Sequence, residues 1–235
     1  MTNNDIRMSI FEHIEELRSR TIKATLFFIT STTFAFSYVK DISFILQKPA
    51  NGIKFLQLAP GEYLFSSIKI AAYTGLIISS PFIIYQIILF VLPGLTSKET
   101  FFFIPILWSS ISLFFIGIYF AFSILTPAAL KFLIYYGSDV VEPMWSFEQY
   151  LDFILILLIS TGLTFQIPII QIIIGSLELI SSNQMLSFWK YILLISSIFS
   201  AILTPSTDPF TQLILSFAML SLYLIGIFIL KVLNK

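Results

Sequence analysis

The chain has 235 residues, of which 57% are hydrophobic and 11% charged, a balance that marks a polytopic membrane protein and excludes a soluble domain of this length. Basic and acidic residues, 13 of each, cancel, so no global field points to nucleic acid or to a strongly charged substrate, and specificity has to come from local clusters. With no cysteine and a single histidine, His13, disulfides, thiolate chemistry and a cysteine or histidine metal site are excluded, and no cofactor is expected.

Ser9 to Arg20, SIFEHIEELRSR, is the last polar segment before nearly continuous apolar sequence. Phe11, Ile14 and Leu17 recur at helical spacing, and Glu12, Glu16 and Arg20 form a second stripe at i, i+4 and i+8, which predicts an amphipathic helix within residues 1–21. Ser9 with Glu12 makes a capping box at its start. The leading residues mix acids with bases and the apolar run behind them is longer than a signal-peptide core, so that run reads as a retained span.

Six spans are expected, at about 22–39, 68–92, 101–125, 151–174, 189–203 and 213–230. Residues 40–67 carry Lys40, Lys48 and Lys54 among the breakers Pro49, Asn51, Gly52, Pro60 and Gly61, and read as a long structured loop with pieces such as 53–58 along the membrane surface. Pro81 removes a backbone hydrogen bond inside the second span and predicts a kink, and Pro93 with Gly94 ends that span. The next turn holds Lys98 and Glu99. Pro127 and Gly137 bracket a predicted interfacial helix, 128–136, ahead of an acidic loop with Asp139, Glu142 and Glu148.

Tyr135, Tyr136, Trp145 and Tyr150 read as an aromatic belt at that surface. Ser146 with Gln149 repeats the capping-box pattern before the fourth span, which holds Gln166 and Pro168 near its middle. The strictly apolar part of the fifth span, 191–203, is roughly 20 Å long against a hydrocarbon core of about 30 Å. Pro205 ends it, and Asp208 before Pro209 is the expected N-cap of the sixth. Six spans put both termini on one side. Arg7, Arg18, Arg20, Lys23, Lys98, Lys190, Lys231 and Lys235 fall there, against Lys40, Lys48, Lys54, Lys69 and Lys131 opposite, which favours cytoplasmic or stromal termini.

No phosphate-binding GxxxxGK[ST] loop and no GxSxG elbow occurs, His13 lies outside the bundle, and Asp152 and Asp208 sit at helix ends, so the chain is not read as an enzyme. Glu16 and Arg20 admit two readings. One is a surface pair contributing about 0.3 to 0.5 kcal/mol. The other is an acidic patch with Glu12, Glu15 and Glu99 that suits a cationic guest, above all the planar fork of arginine. Gln166 is equally open between interhelical glue, worth about 0.6 kcal/mol, and a docking point for a polar residue on an incoming helix.

In order along the chain, His13-Ile14-Glu15-Glu16-Leu17-Arg18-Ser19-Arg20, Ser80-Pro81 through Tyr85-Gln86, Pro93-Gly94-Leu95 through Lys98-Glu99, Gly162 through Phe165-Gln166-Ile167-Pro168, and Thr204-Pro205 through Asp208-Pro209-Phe210-Thr211-Gln212 resemble the TatC-type polytopic subunit of the twin-arginine protein translocase. The resemblance implies an all-helical, cup-shaped bundle of six transmembrane helices. It implies a receptor that binds twin-arginine signal peptides of folded cargo and works with single-span TatA/TatB-type subunits, other copies of itself and the proton-motive force. By the same resemblance Glu16 and Glu99 contact the arginine pair, with Glu15, Arg18 and Arg20 in the same site. Gln166 and Pro168 face the concave groove and Asp208 and Gln212 the partner-docking surface, while Pro49, Pro81, Pro93 and Pro205 are structural.

Gln166 departs from the glutamate of many bacterial members and is similar to photosynthetic ones. With the bias to Lys and Ile, this favours a plastid thylakoid membrane, a bacterial inner membrane being the alternative. Two rival functions remain in play: a small-solute transporter, which proline-broken spans would allow, and a structural assembly factor, in which the acidic patch tolerates substitution.

Overall fold

The computed structural model describes residues 10–50, 53–91, 103–137, 144–204 and 208–233. Ser9, Pro93, Glu99 and Pro205, singled out above, lie outside them. Helix α1 (Ile10–Ser37) is unbroken, so the amphipathic segment and the first span are one element rather than two. It bends by 78° into a second helical piece, α2 (Val39–Gln47), followed by a short 3-10 turn, Lys48–Ala50, that contains Pro49. This corrects the loop reading of that region: Val39, Ser43 and Leu46 make a buried stripe at i, i+4 and i+7, enough to hold a lysine-bearing stretch in a helix.

Helix α3 (Glu62–Val91) starts earlier than the sequence predicts and runs through Pro81 without a break. Proline leaves the carbonyl four residues back without its donor. Here the Ser80 hydroxyl donates to that carbonyl, Ile77 O, at 2.7 Å. Helix α4 (Phe103–Phe120) passes through a π-turn, Ala121–Leu125, into α5 (Thr126–Gly137). Ahead of Pro127, the Thr126 amide and hydroxyl both donate to Ala121 O, the hydroxyl at 2.9 Å. The helical stretch is continuous from Ile104 to Tyr136. The separate interfacial helix predicted for 128–136 is its last turns, ended at Gly137 as expected.

The fourth span comes in two pieces, α6 (Phe147–Thr164) and α7 (Ile167–Ser176), parted at Phe165 and Gln166. Then follow α8 (Ser182–Ser187), α9 (Trp189–Leu203) and α10 (Pro209–Val232). Helices thus stand at all six places read as spans. Among the described residues, four stretches are long and apolar enough to cross a bilayer: Glu62–Phe90, Ile104–Tyr136, Phe147–Ser176 and Pro209–Val232. The bent pair Phe11–Ser37 and Val39–Ala50 makes a fifth if counted as one. Helix α9, with 15 residues, is about 22 Å long and as short as the sequence predicts. At the centre lies α6, packed by α3 and α4, with Leu151, Ile154, Leu155 and Leu157 fully enclosed.

A small cap closes one end. Strands β1 (Lys54–Leu56) and β2 (Met144–Ser146) pair in parallel, Lys54 opposite Met144 and Leu56 opposite Ser146, so this part of 53–58 is a strand held by a partner and not a surface-lying piece. Under it the Tyr150 hydroxyl donates to Leu46 O at 2.5 Å, and the Phe55 ring lies 4.7 Å from that of Tyr150. Trp145 and Tyr150 stack within the cap and do not form a belt; only Tyr135 and Tyr136 are exposed. Glu62 ties the cap together. One carboxylate oxygen accepts from the amides of Leu58 (2.5 Å) and Ala59 (3.1 Å), the other from the Ser146 hydroxyl (2.9 Å) and the Glu148 amide (3.1 Å). Donors from three segments converge on one buried carboxylate.

The partner of α3 along its length is α1, lying antiparallel: Thr32 meets Gly75, Phe27 meets Phe82 at 4.8 Å between ring centroids, and His13 stacks on Phe90 at 4.3 Å. A Cβ on Gly75 would stand 2.7 Å from Thr32 Cα, closer than side-chain atoms approach backbone. Gly75→Ala is expected to part the two helices and lower stability by about 1 to 3 kcal/mol, measurable as a lower unfolding temperature in detergent. Glu62→Gln has one acceptor oxygen where the carboxylate has two. It is expected to speed hydrogen exchange at Leu58, Ala59 and Glu148 while leaving amides in the middle of α6 unchanged.

Candidate functional site

The α1–α3 register decides which polar residues meet. On α1, His13, Glu16 and Arg20 share the face turned to α3, spaced by three and four residues, while Glu15 and Arg18 point away and are exposed. Arg20 Nε donates to Glu16 Oε1 at 2.8 Å, and Nη2 also bonds that oxygen. Its remaining prong, Nη1, donates to Gln86 Oε1 on α3 at 3.4 Å. The pair is partly withdrawn from solvent, with side-chain exposures of 21% for Arg20 and 17% for Glu16. Glu16 Oε2 is buried and accepts no hydrogen bond; His13 Nδ1 is 3.9 Å from it.

Beside this pair is an apolar hollow of about 380 Å³ between α1 and α3, lined by Leu17, Thr21, Phe28, Ile83, Ile87 and Phe90, with Arg20 and Gln86 also on its wall. A carboxylate with an unused oxygen next to an apolar groove is chemically suited to an amphipathic guest with a guanidinium and hydrophobic side chains. The predicted pairing of Glu16 with Arg20 is present. Spacing alone assigns no role to Gln86 or Phe90. The available signal was that Gln86 is strongly polar within an otherwise apolar stretch, 70–92.

Gln166 sits at the break between α6 and α7 and ties that break to α4. The Ser110 hydroxyl donates to its amide oxygen, and its amide nitrogen donates to Ser110 O at 3.1 Å. Pro168 takes an early position of α7 and packs on Gly226 of α10. Asp208 is buried and caps α10, accepting from the Phe210 amide at 3.0 Å and from Thr211, as a residue before proline at a helix start should. Gln212 donates to Ser197 O of α9 at 3.2 Å, and the Ser196 and Ser216 hydroxyls lie 3.2 Å apart, so the short α9 is stitched to α10 by polar contacts. Gln171 of α7 is buried with both amide atoms unpartnered.

At the opposite end of α3, Lys69 Nζ bonds Glu148 Oε1 at 2.8 Å and both Asp152 oxygens at 2.9 Å. From Lys69 to Gln86 the helix climbs about 26 Å. Residues 70–85 carry no charge. Polar clusters at both ends of a neutral helix of that length match the two faces of a bilayer.

A family model described as Sec-independent protein translocase protein (TatC) matches residues 12–217. A relative from Gracilaria tenuistipitata var. liui, named an uncharacterized tatC-like protein ycf43, is 64% identical over 99% of this chain and 98% of its own. The protein from Oryza sativa subsp. japonica named Sec-independent protein translocase protein TATC, chloroplastic, is 46% identical over 99% of this chain and 65% of its own. Among solved structures, a crystal structure of the twin-arginine translocase receptor TatC superposes with a TM-score of 0.83 at 36% identity, covering 95% of this chain and 100% of that one. By the sequence match along nearly its whole length and by its fold, the chain belongs to the TatC family of Sec-independent protein translocase subunits.

Proposed function

We propose that this chain is the signal-peptide receptor of a twin-arginine translocase, crossing the membrane six times with both termini on the cytoplasmic or stromal side. The observation that carries the reading is the Glu16 carboxylate, partly withdrawn from solvent with one oxygen unpartnered, at the edge of an apolar groove. A guanidinium from the guest satisfies that oxygen, and the apolar part of the guest has the hollow beside it. Glu15 and Arg18 stand at the rim on the same helix, and Glu99 completes the acidic patch by its place in the sequence. Single-span TatA/TatB-type subunits dock along the polar seam of α9 and α10, where Gln212 lies and whose start Asp208 holds. Gln166 and Pro168 shape the groove behind it. The membrane is a thylakoid or bacterial one, thylakoid being favoured by the plastid relative.

A photoreactive probe at Leu17, in native membranes, is expected to crosslink to a signal peptide bearing its arginine pair. The yield should fall about tenfold or more on Glu16→Ala or Glu99→Ala, or when the pair is changed to lysines. Equal crosslinking with all of these changes would return the assembly-factor reading.

The short α9 gives a second expectation. A span of about 22 Å thins the bilayer around it, at a fraction of a kcal/mol per Å of mismatch. Inserting one turn, about 5.4 Å, into α9 is expected to slow export of folded cargo without reducing signal-peptide binding. Unchanged export rates would remove local thinning from the mechanism.

A further inference from the structure

We propose that Arg20 is an internal occupant of the Glu16 carboxylate, displaced onto Gln86 when an arginine of the guest arrives; this rests on the receptor reading above. The geometry of the pair carries the argument. An arginine that grips a carboxylate with both prongs uses both of its oxygens. Arg20 does not do so: Nε and Nη2 crowd onto Oε1, and Nη1 reaches away to Gln86 at 3.4 Å. The second carboxylate oxygen is left buried and without a hydrogen bond, with His13 Nδ1 too far at 3.9 Å to supply one. A buried acceptor without a donor is costly, so a donor that reaches Oε2 is drawn in.

A guest guanidinium that takes Oε2 with one prong directs its other prong at Oε1, the atom that Arg20 holds. Bidentate capture therefore requires Arg20 to leave. Gln86 offers the place to go. Its amide is buried and already accepts one Arg20 prong, so the displaced guanidinium gives up Glu16 while keeping a partner. For an arginine guest the exchange is like for like, fork replacing fork. A lysine ammonium, a point charge, does not span the two oxygens in one plane, so it leaves Arg20 in place and binds against that like charge. Arg20 thus lowers the affinity for every guest but lowers it most for lysine, which sharpens selection by penalising the wrong ligand. Gln86 acts as a positioning residue for Arg20.

The test is equilibrium binding of a fluorescent signal peptide, in its arginine-pair and lysine-pair forms, to the full chain in lipid nanodiscs. Arg20→Met is expected to tighten both, the lysine form more, so that the arginine-to-lysine preference falls about three- to tenfold. Gln86→Leu is expected to weaken the arginine peptide in the parent and to have no effect in the Arg20→Met background, where no displaced guanidinium needs a seat. Arg20→Gln, which keeps a polar side chain, serves if the methionine variant loses its fold. Loss of binding in Glu16→Gln together with unchanged or weaker binding in the Arg20 variants overturns this inference and leaves the receptor reading standing. Full binding in Glu16→Gln overturns both.

Discussion

Where α1 crosses α3, the main chain of Thr32 lies so near Gly75 that a Cβ there would sit 2.8 Å from the Thr32 nitrogen. Only a residue without a side chain permits that approach, and the approach fixes one antiparallel register along both helices. Phe27 then falls on Phe82, Arg20 on Gln86 and His13 on Phe90. A shift of α1 by a residue would turn Glu16 and Arg20 by about 100° off the α3 face, and the partly buried carboxylate would become an ordinary surface pair. The partly buried Glu16–Arg20 pair is in this sense a consequence of a glycine about four turns away.

The second constraint is the bilayer, in which every backbone polar group needs an internal partner. The chain meets it with long helices and, at Pro81, with a hydroxyl. Ser80 takes the carbonyl freed by Pro81, and Thr126 doubles its bond to Ala121 O beside Pro127. The Ser80 bond replaces the donor that α3 loses at Pro81, and both α3 and the stretch 104–136 stay helical through their prolines. The fourth span does break, and there the polar side chain that fills the gap is Gln166, bonded in both directions to Ser110.

The two ends of the bundle differ in kind. The Glu16 end presents an incompletely satisfied carboxylate beside a groove. The other is closed by a two-stranded cap, with Glu62 accepting from four donors and Lys69 bridging Glu148 and Asp152. A receptor needs its unsatisfied chemistry on the face that meets the guest and a rigid frame elsewhere, because free energy left over at one site is usable only if the surrounding structure does not relax to absorb it.

What the sequence determined by itself is local in origin. The helix starts at Asp208 and Ser146 depend on contacts two or three residues apart, and the Glu16–Arg20 pair on a single helical turn. The places of the six helices and the shortness of α9 follow from runs of apolar residues whose length is set by 1.5 Å of rise per residue. Even Gly75 and Gln86 are visible as residue types, though not their roles. Those depended on the tertiary structure: Gln86 meets Arg20 across 66 positions, Glu62 meets Ser146 across 84, and Tyr150 meets Leu46 across 104. Spacing in the chain carries no information about which helix faces are brought together. That is decided by close packing, which selects one register among many of similar hydrophobic content, and so it was the fold that turned a predicted belt residue, Tyr150, into core and set a salt-bridge pattern on α1 against Gln86 of α3.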